Sequence, residues 1–265
     1  MSSPLVDIGL NLGHRRFDAD RAEVIERALD AGVTRMILTG TDVPESEAMV
    51  TLAATRPGTF WSTAGVHPHD ASTCDDTTLP TLRRLAESPE VVAIGECGLD
   101  FNRDFSPRSE QALWFERQVA LALELNLPLF LHERDATARF LEILDRSGER
   151  CPPGVVHCFT GDRAALDAYL ERGLYVGITG WICDERRGLD LQGLVQHIPL
   201  ERLLVETDSP YLPPRDLHPR PKRNEPAHLP HIVATIARHK GVSAEVIAQS
   251  SSQNATRLFG LPTLR

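Results

Sequence analysis

Apolar and polar positions along the chain alternate between two periods. Short runs rich in β-branched and large apolar residues recur at Leu5–Leu10, Thr34–Leu38, Phe60–Val66, Val91–Gly95, Pro128–Leu131, Gly154–Val156, Leu174–Ile178 and Leu203–Glu206. Between them lie longer stretches, such as Asp20–Ala31, Ser109–Leu125, Ala136–Arg146 and Arg163–Arg172, with apolar residues three and four apart. The first period predicts buried strands and the second amphipathic helices, so the chain reads as repeated βα units around a parallel sheet. Eight such alternations in one chain fit an α/β fold of the TIM (β/α)₈ barrel kind. A doubly wound sheet would be expected to carry a Gly-x-Gly-x-x-Gly turn after its first strand, and none is present.

The pattern also bounds the organisation. No repeat, low-complexity tract or linker interrupts it, so residues 1–265 are expected to form one hydrolase-type barrel domain. Ser106-Pro107 has the chemistry of a helix entry, and Pro210–Pro230, rich in proline and basic residues, predicts a long ordered loop before the final helix.

Composition narrows the classes. No apolar stretch is long enough for a membrane helix and the first residues lack a secretory pattern, which predicts a cytoplasmic protein with no membrane partner, expected to be a monomer. Five cysteines without a Cys-x-x-Cys spacing tell against disulfides and a zinc knuckle. With a net charge of −9, the surface as a whole repels a polyanion, so any nucleic-acid contact must be local. Lys222 and Lys240 are the only lysines, which excludes a Walker lysine and leaves none in an apolar run to form a Schiff base.

Chemistry enters at the carboxyl ends of the predicted strands. Glu96 follows Val91–Gly95, His132 follows Pro128–Leu131, His157 follows Gly154–Val156, and Asp208 lies just beyond Leu203–Glu206. In a parallel barrel these ends share one face, the face that carries barrel active sites. A single strand-end histidine or carboxylate is usually structural; four at the mouths of the fourth, fifth, sixth and eighth strands make a mixed oxygen and nitrogen shell for a divalent cation. Side-chain alternation turns Cys97 and Cys158 away if Glu96 and His157 face the ion, so magnesium or manganese becomes reasonable, while two imidazoles would also suit zinc and the residues alone do not decide the metal. His67 and His69, two apart, could form a metal pair, but Pro68 breaks the strand geometry between them, so His67 reads rather as a substrate contact and His69 as a loop residue. Arg134, Arg186, Arg187, Arg215, Arg220, Lys222 and Arg223 would give a local positive rim for phosphate, Arg134 being the substrate-binding candidate. Trp181 reads as core or as a stacking partner for an unpaired base.

The sequence resembles the TatD family of metal-dependent deoxyribonucleases nearly from end to end. The resemblance is carried by Gly65-Val66-His67-Pro68-His69, Ile94-Gly95-Glu96-Cys97-Gly98-Leu99-Asp100, His132-Glu133-Arg134-Asp135-Ala136, His157-Cys158-Phe159-Thr160-Gly161, Glu206-Thr207-Asp208-Ser209-Pro210-Tyr211-Leu212 and Arg223-Asn224-Glu225-Pro226. It implies a TIM barrel with Glu96, His132 and His157 as metal ligands and Asp208 as a further ligand or the base that activates water. The implied reaction is 3′-to-5′ exonucleolytic hydrolysis of phosphodiester bonds in single-stranded DNA, or RNA, through a magnesium-activated water, in DNA repair or DNA breakdown. Much of the family opens with Asp-Thr-His-x-His; here Gly9 and Asn11 stand at the histidine positions, as in the TatD subgroup proper, which tells against a two-metal mechanism. Glu133 stands where a small residue is expected and should point away from the site.

Two other functions fit the same residues. One is a barrel hydrolase of a small phosphoester, amide or lactone; the other is a non-catalytic nucleic-acid or protein-binding barrel with a structural metal.

Overall fold

The computed structural model describes residues 4–263. Eight strands lie in one sheet in sequence order: β1 (Leu5–Leu10), β2 (Val33–Leu38), β3 (Phe60–Ala64), β4 (Val91–Asp100), β5 (Leu129–Arg134), β6 (Gly154–Val156), β7 (Tyr175–Ile178) and β8 (Leu203–Val205). The described α-helices are α1 (Arg21–Asp30), α2 (Val43–Ala53), α3 (Thr78–Leu85), α4 (Arg108–Leu125), α5 (Thr137–Asp145), α6 (Arg163–Glu171), α7 (Leu189–Leu194), α8 (Leu229–Lys240) and α9 (Ala244–Phe259). Strands from β1 to β7 are each followed by one of α1 to α7, and β8 by α8 and α9. β1 pairs in parallel with β2. Beyond the end of β8, the Asp208 amide donates to the Gly9 carbonyl at 2.8 Å and the Asn11 amide to that of Ser209 at 2.8 Å. A first strand that pairs with the second and is bonded to the segment after the eighth is the topology of a TIM barrel.

The chain groups into two compact units, one of residues up to Leu38 with those from Cys158 onward, the other Thr39–His157. In the first, Ile8, Leu10, Met36, Ile37 and Leu38 are fully buried on β1 and β2. In the second, β3, β4, β5 and β6 pair in parallel. Phe60 and Phe130 are buried there, and Phe115 of α4 stacks on Phe140 of α5 with centroids 5.1 Å apart. Continuous burial along β1, β3 and β4 explains why these strands read as apolar runs without alternation.

Helix ends follow local chemistry. Asp42 Oδ1 accepts from the Glu45 amide at 2.7 Å to open α2, and Asp162 Oδ1 accepts from the Ala165 amide at 2.9 Å to open α6. Gly241 (φ 68°) and Gly260 (φ 62°) close α8 and α9 in the left-handed region.

Three expectations are corrected. Ser106 does not cap α4, which starts at Arg108; its hydroxyl instead donates to the His69 carbonyl at 2.7 Å. The proline-rich segment precedes two helices, α8 and α9, rather than a single final one. Trp181 is half-buried, with its indole N–H on the Arg187 carbonyl at 3.1 Å and the Arg187 guanidinium 4.4 Å over its ring, so it is not a core residue. Among the described residues no helix is long and apolar enough to cross a membrane.

Candidate metal centre

β4 carries the site because it runs on past its apolar stretch. Its pairing with β5 slips between Gly95 and Cys97 and then continues in register, Gly98 opposite His132 and Asp100 opposite Arg134. Gly98 permits this: its φ is +147°, and a Cβ there would lie 1.8 Å from the His132 carbonyl oxygen. Residues two apart on a strand share a face, so Glu96 and Asp100 fall on one side. Gly98→Ala is therefore expected to cost about 4 kcal/mol or more, since neither the backbone angle nor the contact tolerates a methyl. A thermal unfolding midpoint equal to that of the unsubstituted protein would contradict this.

Glu96 is the hub of the cluster. Its Oε1 lies 3.2 Å from His67 Nε2, 2.9 Å from His132 Nδ1 and 2.9 Å from His157 Nε2. A second carboxylate extends the network, with Asp100 Oδ2 at 2.9 Å from His69 Nε2 and 3.2 Å from His132 Nε2. His132 thus presents one ring nitrogen to each carboxylate. Glu96, Asp100, His67 and His157 are all buried.

Backbone anchors hold these side chains. The Glu96 amide donates to the Gly40 carbonyl and the His67 amide to the Thr41 carbonyl, each at 2.7 Å; the His157 amide donates to Leu131 at 2.8 Å. Two buried glutamines, seven residues apart on one face of α4, complete the frame. Gln118 accepts from the Val66 amide at 2.8 Å and donates to the Val66 carbonyl at 3.0 Å. Gln111 accepts from the Asp100 amide at 2.9 Å and donates to the Ser106 carbonyl at 2.8 Å. Each fixes the backbone beside a site residue.

The electrostatics follow from this packing. Burial alone would raise the Glu96 carboxyl, but the imidazoles of His157, His67 and His132 outweigh it and hold it well below the usual carboxylate range. Burial pushes His67 down to about 4, leaving it neutral near pH 7. For His132, burial would lower the value, and the hydrogen bonds to Asp100 and Glu96 overcome it and raise the ring above its usual range. A cation taking a nitrogen of His132 must displace that proton. Metal affinity is therefore expected to fall as pH drops through the raised His132 value, with close to one proton released per ion bound below it. Calorimetry in buffers of different ionisation enthalpy reads this directly, and an affinity flat between about pH 6 and 8 would contradict it.

The donor set fits a divalent ion. His67, Glu96 and His132 offer atoms within 4.8 Å of one another, and His157 Nε2 meets the same Glu96 oxygen. Three imidazoles and a carboxylate make a borderline shell. Cys97 is fully buried in an apolar setting that raises its thiol, so it stands apart from this chemistry.

The remaining expected residues fall as follows. Asp208 belongs to the other unit, at φ 53°, with Oδ1 accepting from Asn11 Nδ2 at 3.1 Å. Arg134 ends β5, half-exposed and outside any ion pair among the described residues. Glu133 is turned to the Ala136 amide, accepting at 2.6 Å ahead of α5. The expected positive rim is largely neutralised: Arg187 pairs with Asp184 at 3.0 Å, Arg215 with Glu185 at 3.2 Å, and Arg223 with Asp20 and Glu225. Asp100 is a member of the cluster that the sequence pattern did not single out, its signal being the even spacing of Glu96, Gly98 and Asp100, whereas His69, weighed with His67 as a metal pair or else as a loop residue, joins the cluster through Asp100.

Comparison with known proteins gives the same frame. A family model described as TatD related DNase matches residues 6–260. The chain is 56% identical over 259 residues to a protein of Pantoea vagans named 3′-5′ ssDNA/RNA exonuclease TatD, covering 97% of this chain and 100% of that one. It is 54% identical over 260 residues to a protein of the same name from Erwinia billingiae, with 97% and 100% covered. The crystal structure of YJJV, a TatD homolog from Escherichia coli K12, superposes with a TM-score of 0.88 at 27% identity, covering 97% of this chain and 98% of that one. A TatD family hydrolase from Entamoeba histolytica gives 0.89 at 24% identity, with 99% and 100% covered, a likeness of fold. With a family match across almost its whole length and relatives sharing more than half its residues, this chain belongs to the TatD-related DNase family.

Proposed function

We propose that this chain is a divalent-cation-dependent exonuclease that removes nucleotides from the 3′ ends of single-stranded DNA and RNA, with magnesium as the working ion. The observation that carries the reading is the convergence of three imidazole nitrogens on one oxygen of Glu96, in a chain sharing 56% of its residues with a relative named for that activity.

Glu96, His132, His157 and His67 would hold the cation. When bound, it supplies Lewis-acid polarisation of a phosphoryl oxygen and eases deprotonation of water. Asp100 fixes the ring orientation of His132 through Nε2, as partners of ligating histidines do. Arg134, outside any ion pair among the described residues, offers its fork to a phosphate. Asp208, a carboxylate at the carboxyl end of β8 steadied by Asn11, takes the proton from the attacking water.

The test is a single-stranded oligonucleotide labelled at either end, with magnesium, with chelator, and with magnesium restored. Stepwise release of mononucleotides from the 3′ end, lost on chelation and recovered with the ion, is expected. An intact oligonucleotide under all three conditions, alongside turnover of small esters, would replace this reading with that of a small-molecule hydrolase.

A further inference from the structure

We propose that Phe105 is a stacking platform for an unpaired nucleobase at the end of the strand being degraded, a substrate contact that rests on the nuclease reading above. Phe105 is 66% exposed, whereas the other eight phenylalanines of the chain are buried or half-buried. A single exposed apolar side chain is commonplace by itself. This one is distinguished by where it is held and by how firmly.

Its ring packs edge-on against His69, with centroids 4.6 Å apart and planes at 62°. His69 Nε2 is 2.9 Å from Asp100, which in turn reaches His132 at 3.2 Å and so the Glu96 hub. His69 also packs against His67, with centroids 4.2 Å apart, so an aromatic face stands one side chain away from a residue that would hold the cation.

The segment presenting it is fastened on both sides. The Asn102 and Arg103 amides donate to Asp100 Oδ1 at 3.0 and 2.8 Å, and Asn102 Nδ2 donates to Asp135 at 2.7 Å. Asp104 (φ 49°) receives Arg108 at 2.7 and 2.8 Å, and the Ser106 hydroxyl bonds the His69 carbonyl at 2.7 Å while accepting from the Ser72 amide at 3.0 Å. Phe105 is the apolar member of an otherwise hydrogen-bonded turn, and its ring is left to solvent. A platform already ordered binds without the entropic cost of ordering it.

The ligand class follows from the surface. A flat, neutral aromatic face accepts any of the bases, so its contact would carry no sequence preference. In a duplex both faces of a base are stacked on its neighbours, so only a frayed or single-stranded end can offer one. Phe105 thereby favours single strands.

Phe105→Ala and Phe105→Trp are assayed on single-stranded DNA with an ordinary or an abasic residue near the 3′ end. Phe105→Ala is expected to raise KM on the order of 10-fold with kcat little changed, and Phe105→Trp to stay near the unsubstituted protein. An abasic residue at the contacted position should cost the unsubstituted enzyme a similar factor and cost Phe105→Ala nothing further. An unchanged KM in Phe105→Ala, or an abasic penalty equal in both proteins, would overturn the proposal while leaving the nuclease reading intact. Failure of the unsubstituted enzyme to cleave single strands would overturn both.

Discussion

Glu96→Gln is expected to reduce single-strand cleavage by on the order of 10³-fold, the effect of losing about 4 kcal/mol of charge stabilisation at the reacting phosphate. Three imidazole nitrogens converge on the oxygen that this substitution makes neutral, so divalent-ion affinity should fall with it. Stability carries a second signature. The Glu96 carboxyl is held well below its usual range when folded, so its ionised form stabilises the protein above the unfolded value near 4.5, and that contribution is lost as pH falls through the folded value. Glu96→Gln should thus unfold at lower temperature than the unsubstituted protein at pH 7, and the gap should close in acid. Equal ion affinity in the two proteins would remove Glu96 from the centre.

Asp208→Asn should separate chemistry from binding. The amide oxygen can still accept the bond from Asn11 Nδ2, so the local structure survives, but it cannot take a proton at neutral pH. Turnover is expected to fall ~10²-fold or more, with ion affinity and folding nearly unchanged. Undiminished turnover would assign the proton to another group.

The sequence made the barrel legible because βα alternation is local: each strand announces itself over three to seven residues. Glu96, His132 and His157 were readable for the same reason, each lying directly after an apolar run, and the structure gathers all three within one unit. What lay hidden depends on pairing between distant segments. β4 reads as ending at Gly95 because its apolar residues stop there, yet β5 supports it to Asp100 through a glycine angle invisible to hydropathy. His69 reads as a loop residue because Pro68 breaks the strand, and only the extension of β4 brings Asp100 to it. His67, which the sequence weighed as a ligand and favoured as a substrate contact, is hydrogen-bonded to Glu96 in a group that could hold an ion. Gln111 and Gln118 interrupt the apolar stripe of α4 and look like solvent-facing positions, whereas they are buried and bonded to backbone. The basic residues looked like a phosphate rim because composition does not show that Asp184, Glu185, Asp20 and Glu225 answer most of them.

The centre itself is tested most directly by anomalous diffraction from crystals soaked in manganese. A peak within bonding distance of Glu96 and of the His132 and His157 rings, absent from crystals of Glu96→Gln, is the predicted result. Manganese bound elsewhere, with those side chains still hydrogen-bonded only to one another, would contradict the account.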